Sequence, residues 1–404
     1  MEITQGVDFE SFGLSEATLR AIRNKGYTVS TPVQAGCIPP MMAGRDVIAK
    51  APTGTGKTMA FGIPIIEKID PDSEEVQAVI MAPTRELAMQ ITDEMRDIAV
   101  YHEGVRLVCL YGGQPIGKQI NALKRKPQIV VATPGRLSDH MKRRTVVLKA
   151  VKTVVLDEAD RMLDMGFIHD IRRILPLLPE RRQTLFFSAT MPESIAALAA
   201  KILRNPVLVT VTPPASVVET IAQTVHFAEK AEKSQLLIDL LSASDAQQVL
   251  VFSRTKHGAD KLAKILNRAG IRSCAIHGNK SQNARVKAMN DFKSGECRVM
   301  IATDIAARGI DIDQLPLVIN YELPEVAETY VHRIGRTGRA GHEGAAWSFC
   351  SEDEFEYLCD IQKLTGLTIP TEGPVPEYAL RKAAPARKPA QKAAQRPART
   401  QEPK

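Results

Sequence analysis

Short, continuously apolar runs recur along the chain, separated by stretches whose apolar residues return at every third or fourth position. In the first half the runs lie at 46–50, 76–82, 105–110, 128–132, 152–156, 183–187 and 206–211. In the second half they lie at 224–227, 248–252, 272–276, 298–302, 317–320 and 345–350. Unbroken runs rich in Val, Ile and Leu indicate strands of a parallel sheet covered by helices on both faces. The pattern therefore predicts an α/β fold with doubly wound parallel sheets.

The alternation is interrupted once, at TPPAS (residues 212–216), and then resumes. A chain of 404 residues is too long for one ordinary core, so the break predicts two domains, residues 1–213 and 214–370. Ligands of open parallel sheets bind beyond the carboxyl ends of the strands. The segments directly after the predicted strands are therefore the place to expect a functional site.

The net charge of +7 is concentrated at the C-terminal end. Residues 381–404 hold eight Lys or Arg and one acid, Glu402, so their balance is 8 − 1 = +7 and residues 1–380 sum to zero. The segment 371–404 is predicted to be a disordered basic tail, because its Ala-, Pro- and Lys-rich end has little to bury. Such a tail suits non-specific attachment to a polyanion, and a solubilising extension is the alternative.

The six cysteines are scattered and form no CxxC pair, which indicates reduced thiols and no structural zinc. No apolar run approaches the roughly 20 residues of a membrane span, and the N-terminus lacks the features of a signal peptide. These observations predict a cytoplasmic protein without a membrane association.

A phosphate-binding loop follows the first predicted strand as APTGTGKT, in which Ala51 stands where the common GxxxxGK[ST] pattern has its first Gly. The glycines permit a tight loop whose backbone N–H groups cradle phosphates at the start of a helix. Lys57 would bridge the β and γ phosphates, and the Thr58 hydroxyl would lie on Mg²⁺. The nucleotide-binding candidates of this loop are Thr53, Gly54, Thr55, Gly56, Lys57 and Thr58.

The segment VVLDEAD at 154–160 contains three carboxylates within four residues, directly after an apolar run that is expected to be buried. Carboxylates this close repel one another unless a cation lies among them. Asp157 at the end of the strand is the candidate that holds Mg²⁺, and Glu158 the candidate that orients and deprotonates the attacking water. The alternative is a helix N-terminus decorated with acids that the helix dipole favours.

Further short motifs follow one another in order: GY with TP and Q (26–34), PTRELA (83–88), GG (112–113), TPGR (133–136), SAT (188–190), QNAR (282–285), ATDIAARGID (302–311) and HRIGRTGR (332–339). With DEAD at 157–160, this ordered set resembles the DEAD-box ATP-dependent RNA helicases over roughly residues 8–365. The segments ATDIAARGID and DEADRMLDMGF are most similar to the corresponding segments of the bacterial RhlE-type branch. The resemblance implies two tandem RecA-like domains that use ATP and Mg²⁺.

The resemblance also implies roles for residues outside the phosphate-binding loop. Gln34 would hydrogen-bond the adenine and Phe9 would stack on it, while Asp311 would contact the ribose. Arg336 and Arg339 would reach across the cleft as arginine fingers; arginines at three-residue spacing are a costly cluster of like charge unless an anion lies among them. The residues implied to bind the base or ribose are Phe9, Tyr27, Gln34, Gly309 and Asp311.

RNA contacts and coupling residues are implied in the same way. The implied RNA contacts are Pro83, Thr84, Arg85, Gly113, Thr133 and Arg136 in the first domain and Arg285, Thr303 and Asp304 in the second. Small residues and glycines at such positions let backbone N–H groups approach phosphates, so recognition is expected to be independent of sequence. The residues implied to link hydrolysis to strand separation are Asp160, Ser188, Ala189, Thr190 and His332.

The expected function is an ATP-dependent RNA helicase that unwinds short duplexes or remodels RNA–protein complexes when its two domains close. Two alternatives remain: an ATP-gated RNA clamp in which hydrolysis only times release, and a DNA translocase built on the same two domains. The expected partners are RNA and possible ribonucleoprotein or ribosome-assembly components, and the expected oligomeric state is a monomer.

Overall fold

The computed structural model describes residues 5–52, 54–211, 221–307, 314–338 and 344–383. The first part of the chain forms a sheet of seven parallel strands in the order β3-β4-β2-β5-β6-β1-β7. Its strands are β1 (Val47–Lys50), β2 (Ala78–Met81), β3 (Leu107–Leu110), β4 (Ile129–Ala132), β5 (Thr153–Leu156), β6 (Gln183–Ser188) and β7 (Val207–Thr210).

Nine α-helices accompany this sheet in the described part of the first domain. They are α1 (Glu16–Asn24), α2 (Pro32–Met42), α3 (Lys57–Lys68), α4 (Arg85–Ile98), α5 (Ile116–Leu123), α6 (Pro134–Lys142), α7 (Ala159–Asp164), α8 (Ile168–Ile174) and α9 (Glu193–Ile202). Short 3₁₀ helices lie at Phe9–Phe12, Ala99–Tyr101 and Leu175–Leu177.

The second part of the chain forms another seven-stranded parallel sheet, in the order β10-β11-β9-β12-β13-β8-β14. Its strands are β8 (Ile221–Phe227), β9 (Val249–Phe252), β10 (Ser273–Ile276), β11 (Val299–Ala302), β12 (Leu317–Asn320), β13 (Gly344–Cys350) and β14 (Thr371–Glu372). Its helices are α10 (Lys233–Ala243), α11 (Lys256–Arg268), α12 (Gln282–Lys293), α13 (Asp304–Ala307), α14 (Ala327–Ile334), α15 (Phe355–Thr365) and α16 (Glu377–Ala383), with a 3₁₀ helix at Glu352–Glu354.

Both faces of the first sheet are covered, as the apolar runs predict. Along β2, Ala78 and Ile80 belong to one core cluster, whereas Val79 and Met81 belong to the cluster on the opposite face. All four side chains are buried. A strand buried on both faces must be apolar at every position, which explains why its sequence does not alternate.

The strand register brings several strand ends to one edge of the first sheet. Lys50 at the end of β1 pairs with Ser188 at the end of β6. Leu156 at the end of β5 pairs with Met81 of β2 and with Phe186 of β6. Because the strands are parallel, the segments after β1, β5 and β6 emerge side by side.

The two-sheet α/β prediction is confirmed, and the thirteen predicted strands all occur. The structure differs from the sequence interpretation at residues 371–383, which were assigned to a disordered tail. Strand β14 pairs with β8, and Tyr378 near the start of α16 packs against Phe227 and Phe355. Residues 384–404 lie outside the described part of the chain, and none of the described helices is long and apolar enough to cross a membrane.

Candidate nucleotide site and interdomain cleft

The phosphate-binding loop lies between β1 and α3. Gly56 precedes the first residue of α3 with φ of 89°, a left-handed conformation, and no side chain caps the helix there. A Cβ on Gly56 would lie 2.5 Å from Nε2 of Gln34, so a larger residue would strain the backbone and displace the Gln34 side chain. The uncapped N–H groups of the first turn are therefore available to an anion, as the phosphate interpretation requires.

Lys57 is buried beside this loop, and its Nζ lies 3.3 Å from the carbonyl oxygen of Ala51. Thr58 follows it in the first turn of α3 and is half-buried. The Thr55 hydroxyl donates to the Pro52 carbonyl at 2.8 Å, which closes the loop on itself. A buried ammonium needs an anionic partner, so this site suits a polyphosphate. Thr53 lies outside the described residues.

Gln34 connects the start of α2 to the phosphate-binding loop. Its Oε1 accepts from the Thr31 N–H at 2.8 Å and completes a capping box. Its Nε2 donates to the Gly56 carbonyl at 3.1 Å. Gln34 thus ties the expected adenine side of the site to its phosphate side.

The two aromatic candidates for the adenine lie in different environments. Phe9 is 3% exposed, belongs to the core cluster of the first sheet and packs edge-on against Phe12 at 5.9 Å. Its ring is covered in this structure rather than offered to a base, so the expected stacking requires the ring to be uncovered. Tyr27 is 47% exposed.

Asp157 and Glu158 lie at the end of β5 and are both buried. Asp157 N–H donates to the Met81 carbonyl at 3.0 Å, which continues the β2–β5 pairing by one residue. Glu158 follows with φ of 52°, a left-handed conformation that costs about 1–3 kcal/mol in a residue other than glycine. The chain turns sharply at Glu158, between β5 and α7. The carboxylates of Asp157 and Glu158 therefore lie in different surroundings.

Burial raises the pKa of the Asp157 carboxyl, and the neighbouring Glu158 raises it further, while Lys57 opposes both. A divalent cation at Asp157 would neutralise the carboxylate that burial disfavours, so the donor set fits Mg²⁺. The residues that would hold the ion are Asp157 and Thr58, together with nucleotide oxygens and water. The described residues contain no group of three or more His, Cys, Asp or Glu side chains placed to hold a metal by themselves.

Glu158 has a different electrostatic environment. Its Oε2 lies 2.7 Å from Nη1 of Arg161, and both side chains are buried. Burial alone would raise the pKa of Glu158, but the attraction of Arg161, Lys57 and Arg336 holds it below its ordinary value. Glu158 is therefore ionised at neutral pH and can accept a proton or a hydrogen bond from water. Arg161 is not among the residues predicted from the sequence, although a position three residues after Glu158 at the start of a helix indicates that the two side chains can meet.

Asp160 connects the end of β5 to the SAT segment after β6. Its Oδ2 accepts from both the N–H and the hydroxyl of Thr190, each at 2.8 Å. The Ser188 hydroxyl donates to the Thr190 carbonyl at 2.7 Å and lies 3.3 Å from the Asp160 N–H. Ala189 lies between these two residues. The structure thus brings together four of the residues predicted to couple hydrolysis to strand separation.

The second domain faces this site across a cleft. Arg161 of the first domain and Arg336, His332 and Asp304 of the second line the same cavity. Arg336 is buried and is close enough to lower the pKa of Glu158. The predicted finger Arg339 and the predicted nucleotide contacts Gly309 and Asp311 lie outside the described residues.

Arg333, three residues before Arg336, lines the same cavity and binds several groups of its own domain. It is almost fully buried, and its guanidinium contacts both carboxylate oxygens of Asp304, at 2.6 and 2.8 Å. It also donates to Asn320 at 3.1 Å and to the Glu322 carbonyl at 2.7 Å. The carboxylate of Asp304, predicted to contact RNA, is thus engaged by Arg333. This pairing is not among the contacts predicted from the sequence.

The predicted RNA contacts of the first domain gather beside α4 and α6. Thr84 caps α4 by accepting from the Leu87 N–H at 3.2 Å, and Pro83 precedes it as a buried residue. Gly113 has φ of 86°, and a Cβ there would lie 2.2 Å from Nη1 of Arg85. The PTREL and GG segments therefore touch through Arg85.

The third predicted RNA segment of the first domain lies at the start of α6. Thr133 is the residue before the helix, and its backbone N–H donates to the Leu110 carbonyl at 2.9 Å. Arg136 donates to the Gln114 carbonyl and to the Gln119 side chain, each at 3.1 Å. These contacts place Arg136 beside the loop that contains Gly113.

One ion pair joins the predicted RNA surfaces of the two domains. Nη2 of Arg285, on α12, lies 3.1 Å from Oε2 of Glu86, on α4, and both side chains are nearly buried. Burial lowers the pKa of Arg285, and Glu86 opposes this. Arg285 Nε is buried without a hydrogen-bond partner in the described part of the chain. Thr303, the other predicted contact here, is buried at the start of α13.

Two family profiles match the chain: DEAD/DEAH box helicase over residues 31–198 and helicase conserved C-terminal domain over residues 232–341. An ATP-dependent RNA helicase CshA of Limosilactobacillus reuteri is 44% identical over 374 residues, covering 92% of this chain and 75% of the relative. A DEAD-box ATP-dependent RNA helicase CshA of Bacillus subtilis is 45% identical over 359 residues, covering 89% and 72%.

Solved structures of the same architecture match over most of the chain. Mss116p bound to single-stranded RNA and AMP-PNP has a TM-score of 0.82 at 30% identity, covering 94% of this chain and 83% of that chain. Saccharomyces cerevisiae Dbp5 bound to RNA and ADP BeF3 has a TM-score of 0.79 at 30% identity, covering 90% and 95%. Both structures contain an RNA strand and a nucleotide.

Proposed function

Because this chain belongs to the DEAD-box family of ATP-dependent RNA helicases, we propose that it unwinds short RNA duplexes or remodels RNA–protein complexes by closing its two domains. The observation that carries this proposal is the shared cleft, in which Arg336 of the second domain lies near Glu158 of the first. A nucleotide between them would be contacted from both sides only when the domains are together. Closure and hydrolysis are thereby linked.

The surroundings of each residue at the hydrolytic site indicate a different role for it. Lys57 and the N–H groups at the start of α3 bind the phosphates, and Asp157 with Thr58 would hold the metal. The Mg²⁺ ion, when bound, supplies charge neutralisation for the transferred phosphoryl group. Glu158 orients the attacking water and accepts its proton. Arg336 adds positive charge at the phosphoryl group on closure, an effect worth roughly 10³–10⁵ in rate in other phosphoryl-transfer systems.

We propose that Asp160 transmits the release of phosphate at this site to the SAT segment after β6. It lies two residues after Glu158 and binds Thr190 through two hydrogen bonds. A shift of the β5 end on phosphate release would therefore move the SAT segment. His332, which lines the same cleft from the second domain, is proposed to relay this movement across the interface.

RNA is proposed to lie along the surface formed by the PTREL, GG and TPGR segments of the first domain and by α12 and α13 of the second. The structurally similar Mss116p and Dbp5 were solved with RNA bound, which supports RNA binding by this chain. The carboxylate of Asp304 is paired with Arg333, so we propose that this segment contributes its backbone N–H groups to RNA rather than that side chain.

The test is unwinding of a short RNA duplex with a single-stranded overhang, measured with and without ATP. The proposal predicts ATP-dependent strand separation that is lost in Glu158→Gln over multiple rounds. An ATP-gated clamp would instead give a Glu158→Gln chain that holds RNA longer and still performs its task. A DNA translocase would separate an equivalent DNA duplex at least as well as RNA.

Four finer assignments accompany this proposal. We propose a place in the RhlE-type branch on the wording ATDIAARGID and DEADRMLDMGF, although the relatives reported above are CshA enzymes. A phylogenetic tree of the catalytic core would decide between the two branches. We further propose a cytoplasmic monomer that acts on ribonucleoprotein or ribosome-assembly substrates; sedimentation of the purified chain and RNA crosslinking in cells test these points.

The basic tail is proposed to add RNA affinity. Deletion of residues 384–404 removes six Lys or Arg and one Glu, a net 6 − 1 = +5, and leaves α16 in place. We expect weaker RNA binding with a shallower dependence on salt, because fewer counterions are released, while basal ATP hydrolysis is unchanged. An unchanged salt slope would favour the solubilising role.

A further inference from the structure

Two cysteines of the second domain meet beneath α12. Sγ of Cys297 lies 2.8 Å from Sγ of Cys274. Cys274 is on β10, and Cys297 lies in the turn between α12 and β11. Neighbouring strands hold the pair together, because Ser273 pairs with Val299 in the β10–β11 register. The proximity is therefore built into the sheet and does not depend on mobile side chains alone.

The surroundings of the pair restrict what it can do. Cys297 is buried in the core cluster that contains Phe292 and Met300, and Cys274 is half-buried against the same cluster. The Cys274 thiol lies 3.7 Å from the Ala288 carbonyl of α12. No third His, Cys, Asp or Glu of the described residues joins the pair in a metal-binding group. Two thiols in direct contact can be oxidised to a disulfide.

We propose that Cys274 and Cys297 are a modification site, oxidised by hydrogen peroxide to a reversible disulfide that staples α12 between β10 and β11. The two sulfur atoms need to approach by only about 0.8 Å to reach a bond of about 2.05 Å. The bond closes a loop that contains all of α12, including Arg285, the residue that contacts Glu86 of the first domain.

The chemistry balances in two steps. The thiolate of one cysteine attacks one peroxide oxygen, which gives a sulfenic acid and releases hydroxide. The sulfur of the other cysteine then attacks the sulfenic sulfur, which forms the S–S bond and releases water. Two thiols are oxidised and one peroxide is reduced.

Trypsin provides a direct readout of the bond. Cleavage after Arg272, Lys280, Lys293 and Arg298 places the two cysteines on separate peptides, SCAIHGNK (273–280) and SGECR (294–298). The full chain is treated with peroxide, its remaining thiols are alkylated, and it is digested. We expect these two peptides joined, and separated again by dithiothreitol. Recovery of both as alkylated or sulfinic peptides overturns the proposal.

Serine variants supply the controls. Cys274→Ser and Cys297→Ser should each abolish the joined peptides, whereas Cys359→Ser, which removes an exposed cysteine on α15, should leave them unchanged. The joined peptides appearing in Cys297→Ser, through another cysteine, would contradict the assignment of the pair.

Stability gives a second, independent readout. Trp347, the single tryptophan of the chain, lies on β13 of the same domain and reports its unfolding by fluorescence. A disulfide that closes a loop restricts the unfolded chain, so the oxidised wild type should unfold at a higher urea concentration than the reduced one. Dithiothreitol should reverse this shift, and Cys297→Ser should not show it. Equal midpoints for oxidised and reduced wild type would show that no staple forms.

Discussion

We expect the buried ion pair between Arg161 and Glu158 to contribute to both stability and catalysis, and replacement of Arg161 tests both contributions. The side chains are 7% and 4% exposed and lie 2.7 Å apart. Arg161→Met leaves Glu158 buried without its nearest cation. Removal of one partner of a buried pair costs about 3–5 kcal/mol, which corresponds to about 1–2 M in the urea midpoint of a domain of this size.

Replacement of Arg161 should also change how ATP hydrolysis depends on pH. The pKa of Glu158 in the folded chain lies below its unfolded value, so the pair contributes stability above the unfolded pKa of about 4.3, and this is lost as the pH falls through the folded pKa. Without Arg161 the effect of burial prevails and the pKa of Glu158 rises. The acid limb of the ATP hydrolysis profile should therefore move to higher pH, with lower turnover near neutrality.

The assay is urea unfolding of the full chain, followed by circular dichroism for both domains and by Trp347 fluorescence for the second. Arg161→Met should lower the midpoint of the first-domain transition, and the Trp347 transition should move much less. Arg143→Met is the matched control, because Arg143 pairs with Asp139 on the exposed face of α6 and such pairs contribute no more than about 0.5 kcal/mol. Equal, small effects of the two variants would show that the Arg161–Glu158 pair contributes no more to stability than an exposed pair.

Three further outcomes follow from the contacts of the site. Lys57→Ala removes the buried ammonium beside the phosphate-binding loop and should abolish ATP binding or hydrolysis; near-normal turnover in a coupled ATPase assay would contradict this. Thr190→Val removes the hydroxyl bond to Asp160, worth about 1.5–3 kcal/mol, and should reduce RNA unwinding far more than ATP hydrolysis, whereas equal losses would argue against coupling. Glu86→Gln weakens the pair with Arg285 and should raise the RNA concentration for half-maximal ATP hydrolysis several-fold; an unchanged value would show that the pair does not support closure.

The sequence predicted the two sheets because their strands are buried on both faces. Each such strand must be a continuous apolar run, and a run of this kind is visible without any knowledge of its neighbours. Strand β14 lacks this signal, since both of its residues, Thr371 and Glu372, are exposed. It exists as a strand only through its pairing with β8, and such a tertiary contact leaves no local pattern.

In the candidate site, too, some features could be predicted from the sequence and others could not. The segments after β1, β5 and β6 could be predicted, because each follows a recognisable strand and parallel strands end at one edge. The contacts between side chains could not. The Arg333–Asp304 pair depends on how α14 packs beside β12 and the start of α13, and the Arg285–Glu86 pair depends on how the two domains meet. Arginine and carboxylate positions in the sequence do not specify such partners.

We propose that RNA and ATP together close the two domains around Glu158 and Arg336. This closure is tested by the rate of ATP hydrolysis of the full chain, measured alone, with single-stranded RNA and with DNA of the same sequence. RNA should stimulate hydrolysis strongly and DNA only a little, and neither should stimulate hydrolysis by Arg336→Ala. A rate of hydrolysis that is independent of RNA would show that RNA does not drive closure.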